Sequence, residues 1–243
     1  MKTSANSSEI LKQAIIGWDV RNWSKALPWW EEKLPSSLEG CKALEIGSAN
    51  NGGLALWLGL KGCDVTCMNL LDKFQAVRPV HKHYKVQDRM QYLVHNVKED
   101  LPFEHYDFVV FKSVMGALIA QSNQCKSEID AAREICKTIW KTLKPGGKLL
   151  FAENLKASRM HQVLRSTCNP WQKGWCYPDL STLRQGLDIF EKTELKTSGV
   201  MAAFGRKEWQ RDLLARLDQA LLNGISPSSS HYIAFVYAEK GKS

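Results

Sequence analysis

Apolar positions along the chain change period repeatedly, and each change predicts an element. Ile10, Leu11, Ala14 and Ile15 recur at helical spacing. Lys42 to Ile46 is a short apolar run of strand type, and Gly53 to Lys61 has the apolar density of a buried helix that Gly62 would stop. Cys63 to Met68 reads as a second strand with Asn69 at its end. From Asn69 to Met90 the pattern predicts little helix, with Pro79 among polar residues. His81 and His83, two apart, share no helix face and read as surface residues. Gln91 to Val94 predicts a third strand. Tyr106 to Phe111 predicts a fourth, with Lys112-Ser113 at its carboxyl end. Ile129, Ala132, Ile135, Ile139 and Leu143 mark a helix over Glu128 to Leu143, and Lys148 to Phe151 a fifth strand. A helix opening at Ala157 would set His161 and Arg165 one turn apart. Asp179 to Phe190 predicts another helix, Glu191 to Val200 strand six, Glu208 to Leu222 an amphipathic helix stopped by Asn223-Gly224, and His231 to Ala238 the last strand.

Strands alternating with helices imply an α/β fold with a mostly parallel sheet. The 243 residues suffice for one such domain, read as spanning residues 1–243. Within it, residues 1–40 form a helical, aromatic-rich cap, 41–155 a cofactor-binding half and 156–243 a substrate-side half. Trp18, Trp23, Trp29 and Trp30 fall within thirteen residues. They either staple a helix to the sheet or cap a cleft, with Trp18 or Trp23 facing a ligand. The first nine residues and Gly241 to Ser243 are polar and expected to fray.

Met1 to Glu9 holds no apolar leader core, and no run reaches the roughly 18 apolar residues of a membrane helix. A soluble, cytoplasmic protein without membrane insertion is expected. The seven cysteines are odd in number and form no Cys-x-x-Cys, which argues against a disulfide framework. His161, Cys168 and Cys176 fit no common zinc spacing, so no metal is expected. The net charge of +8 is spread along the chain rather than gathered into a run, and so equally suits a solvated basic surface or an anionic partner.

The chemistry gathers around Ala43-Leu44-Glu45-Ile46-Gly47-Ser48-Ala49-Asn50-Asn51-Gly52-Gly53. Strand, glycine turn and helix present backbone N–H groups to a ligand. Gly47-x-Ala49-x-x-Gly52 is one substitution from the dinucleotide fingerprint, but the Cβ of Ala49 stands where a pyrophosphate needs close approach. With Glu45 two residues before Gly47, the stretch resembles the first motif of class I S-adenosylmethionine-dependent methyltransferases. Asn96, before Leu101-Pro102-Phe103, and Tyr106-Asp107 resemble a second signal of that superfamily. Leu143-Lys144-Pro145-Gly146-Gly147 resembles a third. The signals span about Ala43 to Glu153. A looser similarity, on Glu153-Asn154-Leu155, Ser158, His161, Leu164-Arg165, Phe204-Gly205-Arg206 and Gln210-Arg211, is to methyltransferases found among bacterial surface-polysaccharide genes.

The resemblance implies a Rossmann-like, doubly wound, seven-stranded sheet with an antiparallel last strand, and S-adenosyl-L-methionine as cofactor. It implies that Glu45 reaches the cofactor's ammonium group. Gly47, Ser48, Gly52 and Gly53 would cradle it, Asn69 and Leu70 would meet the ribose, Asn96 and Val97 the adenine, and Lys112 would lie at the site's edge. Both positions usually held by acids are asparagine here, Asn69 and Asn96. An amide keeps the hydrogen bonds but loses their charge assistance, about 1 kcal/mol each.

Methyl transfer to oxygen needs a proton removed, and His161 is the expected general base with Glu153 second. Lys112 would repel a sulfonium and is expected to meet an anionic part of the acceptor with Arg165 or Lys173. Trp171 and Trp175 would stack on it. The expected acceptor is a small molecule, a sugar or nucleotide sugar. Lys112-Ser113-Val114-Met115 is not the Asn/Asp-Pro-Pro-aromatic motif of base methylation, which disfavours nucleic acid, though RNA methylation stays open. A non-catalytic methyltransferase-like protein and a dehydrogenase are the remaining alternatives. Nothing in the sequence fixes the oligomeric state.

Overall fold

Seven strands share one sheet: β1 (Lys42–Ile46), β2 (Asp64–Asn69), β3 (Met90–Val94), β4 (Tyr106–Lys112), β5 (Leu143–Asn154), β6 (Lys192–Ser198) and β7 (Ile233–Glu239). The computed structural model describes residues 2–48, 51–122, 127–168, 175–222 and 224–242, with backbone alone for 2–6, 164 and 166–168. Across the sheet the order is β3-β2-β1-β4-β5-β7-β6. The first five strands run parallel to one another, and β7 runs antiparallel to both β5 and β6. The winding direction reverses between β1 and β4, and in open α/β sheets ligands sit in the crevice at the carboxyl ends of strands at such a point. The expected Rossmann-like sheet with an antiparallel last strand is the observed one.

Alternation along β4 divides the core. Phe108 and Val110 face one side with Trp23, Trp30 and Leu54; Val109 and Phe111 face the other with Ile135 and Leu183. The first side is covered by α1 (Lys2–Ile16), α2 (Val20–Trp23), α3 (Ala26–Glu31), α4 (Gly53–Gly59) and α5 (Val77–His83). The second carries α6 (Met115–Ala120), α7 (Glu128–Thr142) and α9 (Leu180–Gly186). Between them in sequence lies α8 (Arg159–Cys168), and α10 (Glu208–Leu217) precedes β7. Trp23 and Trp30 are fully buried, and Trp30 Nε1 donates to Val236 O at 3.0 Å. Each such side chain contributes about 1.5–3 kcal/mol by leaving water, so the tryptophan cluster does staple the cap to the sheet.

The structure departs from the sequence reading at four places. The amino terminus is helical from Lys2, not frayed, because Leu11, Ala14, Ile15 and Ile16 pack on the core. A helix, α5, stands where little helix was expected. Pro79 is its third residue, where the missing N–H costs no intrahelical bond. His81 is buried, not superficial: it lies four residues after buried Val77 on the inner face of α5, while His83 is exposed. Pro145-Gly146-Gly147 falls within β5, where two steps along β4 (Tyr106 to Phe108) face five along β5 (Leu143 to Lys148), so the glycines form a looped-out irregularity. No helix among the described residues is long and apolar enough to cross a membrane.

Candidate cofactor cradle and acceptor site

At the end of β1 the chain turns through Gly47, whose φ of +74° suits glycine. Its N–H donates to Met68 O at 2.8 Å, tying the turn to β2. A Cβ on Gly47 would stand 2.7 Å from Val114 Cγ2, so the turn closes against the segment leaving β4. Glu45 lies beneath with 4% exposure. Its Oε1 accepts from Leu54 N at 2.7 Å and its Oε2 from the Ser48 hydroxyl at 2.9 Å. Burial pushes this carboxyl up to about 7, against the opposing pull of those donors and of Lys112. Glu45 thus holds the turn and the start of α4 together, and its oxygens point into that scaffold. Gly53, with φ of +66°, leaves room for this: a Cβ there would stand 2.8 Å from Glu45 Oε2 and closer still to Oε1.

The far side of the turn is tied from three directions. Gly52 N donates to Ala14 O of α1 at 2.9 Å, and Asn51 Nδ2 donates to Ile15 O at 2.6 Å. His81 Nε2 lies 2.8 Å from Gly52 O, so it carries the proton, and Nδ1, 2.9 Å from the Tyr92 hydroxyl, is the acceptor. Burial lowers the His81 pKa, which keeps this tautomer neutral. Asn69, at the end of β2, donates from Nδ2 to Ser48 O at 2.6 Å. Asn96 accepts Lys98 N at 3.1 Å in a local turn, Val97 is buried beside it, and Leu70 is 56% exposed. Gly47, Ser48 and Asn69 thus meet at the carboxyl ends of β1 and β2, with Asn96 just after β3, along the edge of the sheet where open α/β folds take ligands. Ala49 and Asn50 lie outside the described residues.

β4 ends at Lys112, paired with Ala152 on β5. Glu45 pairs with Val110 on β4, so Lys112 and the Gly47 turn lie at the same carboxyl edge of the sheet. The Lys112 Nζ stands 4.6 Å from the ring centres of both Trp18 and Trp23. Burial brings its pKa down to about 8, although Glu153, Asp19 and Glu45 pull it upward. Trp18 precedes Asp19, a left-handed residue with φ of 47°. The Asp19 carboxylate is buried, accepts from the Tyr232 hydroxyl, and is pushed up to about 7 by that burial. Glu208 of α10 fastens this corner: its two oxygens accept Asp19 N at 2.9 Å and Val20 N at 2.8 Å. Arg211 lies with its guanidinium 5.4 Å from the other indole contact, Trp18.

The two expected bases are committed elsewhere. Glu153 is fully buried; Oε2 accepts Val114 N at 2.9 Å and Met115 N at 2.7 Å, and Oε1 accepts Asn154 N at 2.9 Å. It anchors the start of α6. His161 is 1% exposed. Its Nε2 must donate to Val200 O at 2.7 Å, which leaves Nδ1 to accept from Ser158 at 2.8 Å. Neither nitrogen is left for an acceptor's proton, and the ring packs 4.6 Å from that of Phe204. The helical spacing that suggested a cleft histidine instead placed it on the inner face of α8.

Arg165 is likewise internal: Nη1 donates to Leu155 O at 2.7 Å and the guanidinium stacks 3.9 Å from the Tyr177 ring. It does not join Lys112. Trp175 is half-buried against Gly116, where a Cβ would come 2.5 Å from its Nε1. Trp171 and Lys173 lie outside the described residues. Sequence reading missed the Asp19, Glu208 and Arg211 corner, whose members are almost two hundred residues apart. His81 was legible in principle, four positions after Val77. Cys41, Cys63, Cys67, Cys136 and Cys176 are free thiols, and no group of metal-ligating side chains gathers among the described residues.

No protein-family model matches this chain, and no curated protein does. Solved structures do. Phosphoethanolamine N-methyltransferase 2 of Haemonchus contortus, in complex with phosphomonomethylethanolamine and S-adenosylhomocysteine, is 18% identical with a TM-score of 0.57 over 90% of this chain. The chain spans 53% of that protein, about half its length. An S-adenosylmethionine-dependent methyltransferase of Methanosarcina mazei is 14% identical, TM-score 0.59, over 89% of this chain and 98% of that one. The cyclase SpnF is 15% identical, TM-score 0.55, over 90% of this chain and 81% of its own. The chain has the fold of class I S-adenosylmethionine-dependent methyltransferases.

Proposed function

We propose that this protein is an S-adenosylmethionine-dependent methyltransferase acting on a small-molecule acceptor. The observation that carries the reading is the turn from Gly47 to Gly53, braced by Glu45 and His81 at the carboxyl end of β1, where the strand order reverses. The backbone of that turn would hold the cofactor's amino-acid end, and Asn69 and Asn96 its nucleoside. Bound there, the cofactor would supply an electrophilic methyl group for in-line displacement. The chain's own task is positioning, which can lower the barrier by several kcal/mol.

The acceptor we favour presents oxygen and carries a sugar or a similar stacking surface. Half-buried Trp18 and Trp175 flank the carboxyl end of β4, and indole faces suit such a surface. Fold alone admits nitrogen acceptors and other chemistry, since the comparison proteins include N-methyltransferases and a cyclase. A non-catalytic binding protein is the second reading, supported by the Asn69 amide being spent on Ser48 O.

The test is calorimetric titration of the folded protein with S-adenosylmethionine and S-adenosylhomocysteine, with NAD as control, on wild type and Gly47→Arg. Saturable binding of the first two, lost in the variant, is the expected result. It would be followed by an acceptor screen with methyl-labelled cofactor, starting from nucleotide sugars. Binding without turnover on any acceptor would favour the second reading. Binding of NAD alone would point to a dehydrogenase, and binding of none would overturn the reading.

A further inference from the structure

The Lys112 ammonium is enclosed by groups that are already engaged. Among the described residues it makes no hydrogen bond and no ion pair; it lies 4.6 Å from the ring centres of two indoles. Four charged groups surround it. Glu45 comes from β1, Glu153 from β5, Asp19 from the turn before α2 and Arg211 from α10, while Trp18 and Trp23 close the cap side. The three carboxyl groups cannot turn to it cheaply. Glu45 holds Leu54 and Ser48, Glu153 holds Val114, Met115 and Asn154, and Asp19 holds Tyr232 and the Asn22 amide. Burial has brought the Lys112 pKa to about 8, and Arg211 presses the same way.

β1 and β4 pair in parallel, so Lys112, the last residue of β4, lies at the same carboxyl edge of the sheet as the Gly47 turn, and a Cβ on Gly47 would touch Val114, two residues after the lysine. On the cofactor reading above, on which this inference rests, a ligand seated there brings a sulfonium charge close to Lys112. A second positive charge in a low-dielectric site drives an ammonium to give up its proton. The product, a neutral thioether, exerts no such pressure.

We propose that Lys112 is a neutral amine in the complex with S-adenosylmethionine and an ammonium in the complex with S-adenosylhomocysteine, and so receives the acceptor's proton during methyl transfer. The step balances. The acceptor O–H bond breaks and its proton goes to the Nζ lone pair. The O–CH3 bond forms, the S–CH3 bond breaks, and that electron pair stays on sulfur. One positive charge occupies the pocket before, on sulfur, and one after, on Nζ. The proton returns to water when the product leaves and the next sulfonium binds.

Proton counting tests this without an acceptor. Each ligand is titrated calorimetrically in buffers of different ionisation enthalpy, between about pH 6 and 9. Wild type should release close to one proton on binding S-adenosylmethionine near neutral pH and none on binding S-adenosylhomocysteine. Below about pH 8 its affinity for the first should fall about tenfold per pH unit, with a flat profile for the second. Lys112→Met should abolish the release and flatten both profiles. Lys112→Arg keeps its charge at every pH; it should release no proton and bind S-adenosylmethionine more weakly than S-adenosylhomocysteine throughout. Equal proton counts for the two ligands in wild type overturn the proposal. So does a release that survives Lys112→Met, which would belong to Glu45, Glu153 or Asp19. If Lys112→Met fails to fold by circular dichroism, the wild-type difference and Lys112→Arg decide. Failure of either ligand to bind folded wild type would instead sink the cofactor reading, and this proposal with it.

Discussion

Glu45 and Gly53 occupy the same space in turn: the carboxylate fills the place a side chain at Gly53 would take, 2.8 Å from Oε2 and nearer still to Oε1. The pair makes the glycine turn a fixed cradle rather than a loose loop. An acid without that glycine would be forced out of its seat. A glycine without that acid would leave Leu54 N and Ser48 without the partners that shape the turn.

Gly53→Ala should therefore damage both stability and the cradle. The residue sits at φ of +66°, and the new methyl meets a buried carboxylate. A loss of about 1–3 kcal/mol in urea unfolding is expected, with S-adenosylmethionine affinity lowered at least tenfold in calorimetry. Unchanged affinity in a stable variant would refute the geometry of the turn.

Glu45 and Glu153 should respond differently to removal of their charge. Burial raises both to about 7, so each favours folding most when protonated. Their contribution should decline as pH rises from the unfolded value of about 4.3 toward 7, and level off above it. Glu45→Gln can keep its pattern, because the Ser48 hydroxyl can accept from the new amide. It should flatten that slope with little loss near pH 7. Glu153→Gln must aim an amide N–H2 at backbone N–H donors, whichever way it turns. A cost of about 1–3 kcal/mol is expected. Urea midpoints of both variants from pH 4 to 8, about the range where buried carboxyls titrate, check the contrast.

His161 should prove structural. Replacing it with alanine strips the partners of Ser158 and Val200 O, at about 1–3 kcal/mol. Cofactor affinity should stay within about twofold, since His161 hydrogen-bonds neither the Gly47 turn nor Lys112. Burial depresses its pKa, so its share of stability is present above the unfolded value of about 6.5 and lost as pH falls below it. The gap between wild type and variant should accordingly shrink in acid. A variant of wild-type stability would contradict the buried placement.

Glu208 is the clamp on the cap. Glu208→Ala leaves Asp19 N and Val20 N uncapped at the start of α2, a loss of about 1–2 kcal/mol. Hydrogen exchange should quicken over residues 18–24 while the amides of β1 and β4 keep their protection. Because Trp18 and Trp23 line Lys112, the same variant should move the Lys112 pKa upward, toward that of a solvated lysine. Uniform loss of protection across the sheet would show that the clamp is global instead.

What the sequence determined by itself is local. The apolar runs at Lys42 to Ile46 and His231 to Ala238, and the 3.6 period over Glu128 to Leu143, were enough for the sheet and its covering helix, because neighbours along the chain make those patterns. Pattern failed where packing overrode it. Pro79 looked like a helix breaker, yet in a first turn it costs nothing. His161 and Glu153 looked like bases because residue type says what a group can do, not what has already claimed its hydrogen bonds. Only the tertiary structure decided those claims, by bringing Val200 to His161 and Val114 and Met115 to Glu153. It also assembled the corner of Trp18, Asp19, Lys112, Glu208 and Arg211 from distant segments. A lysine's charge state depends on what surrounds it in space, so no spacing along the chain could have shown it.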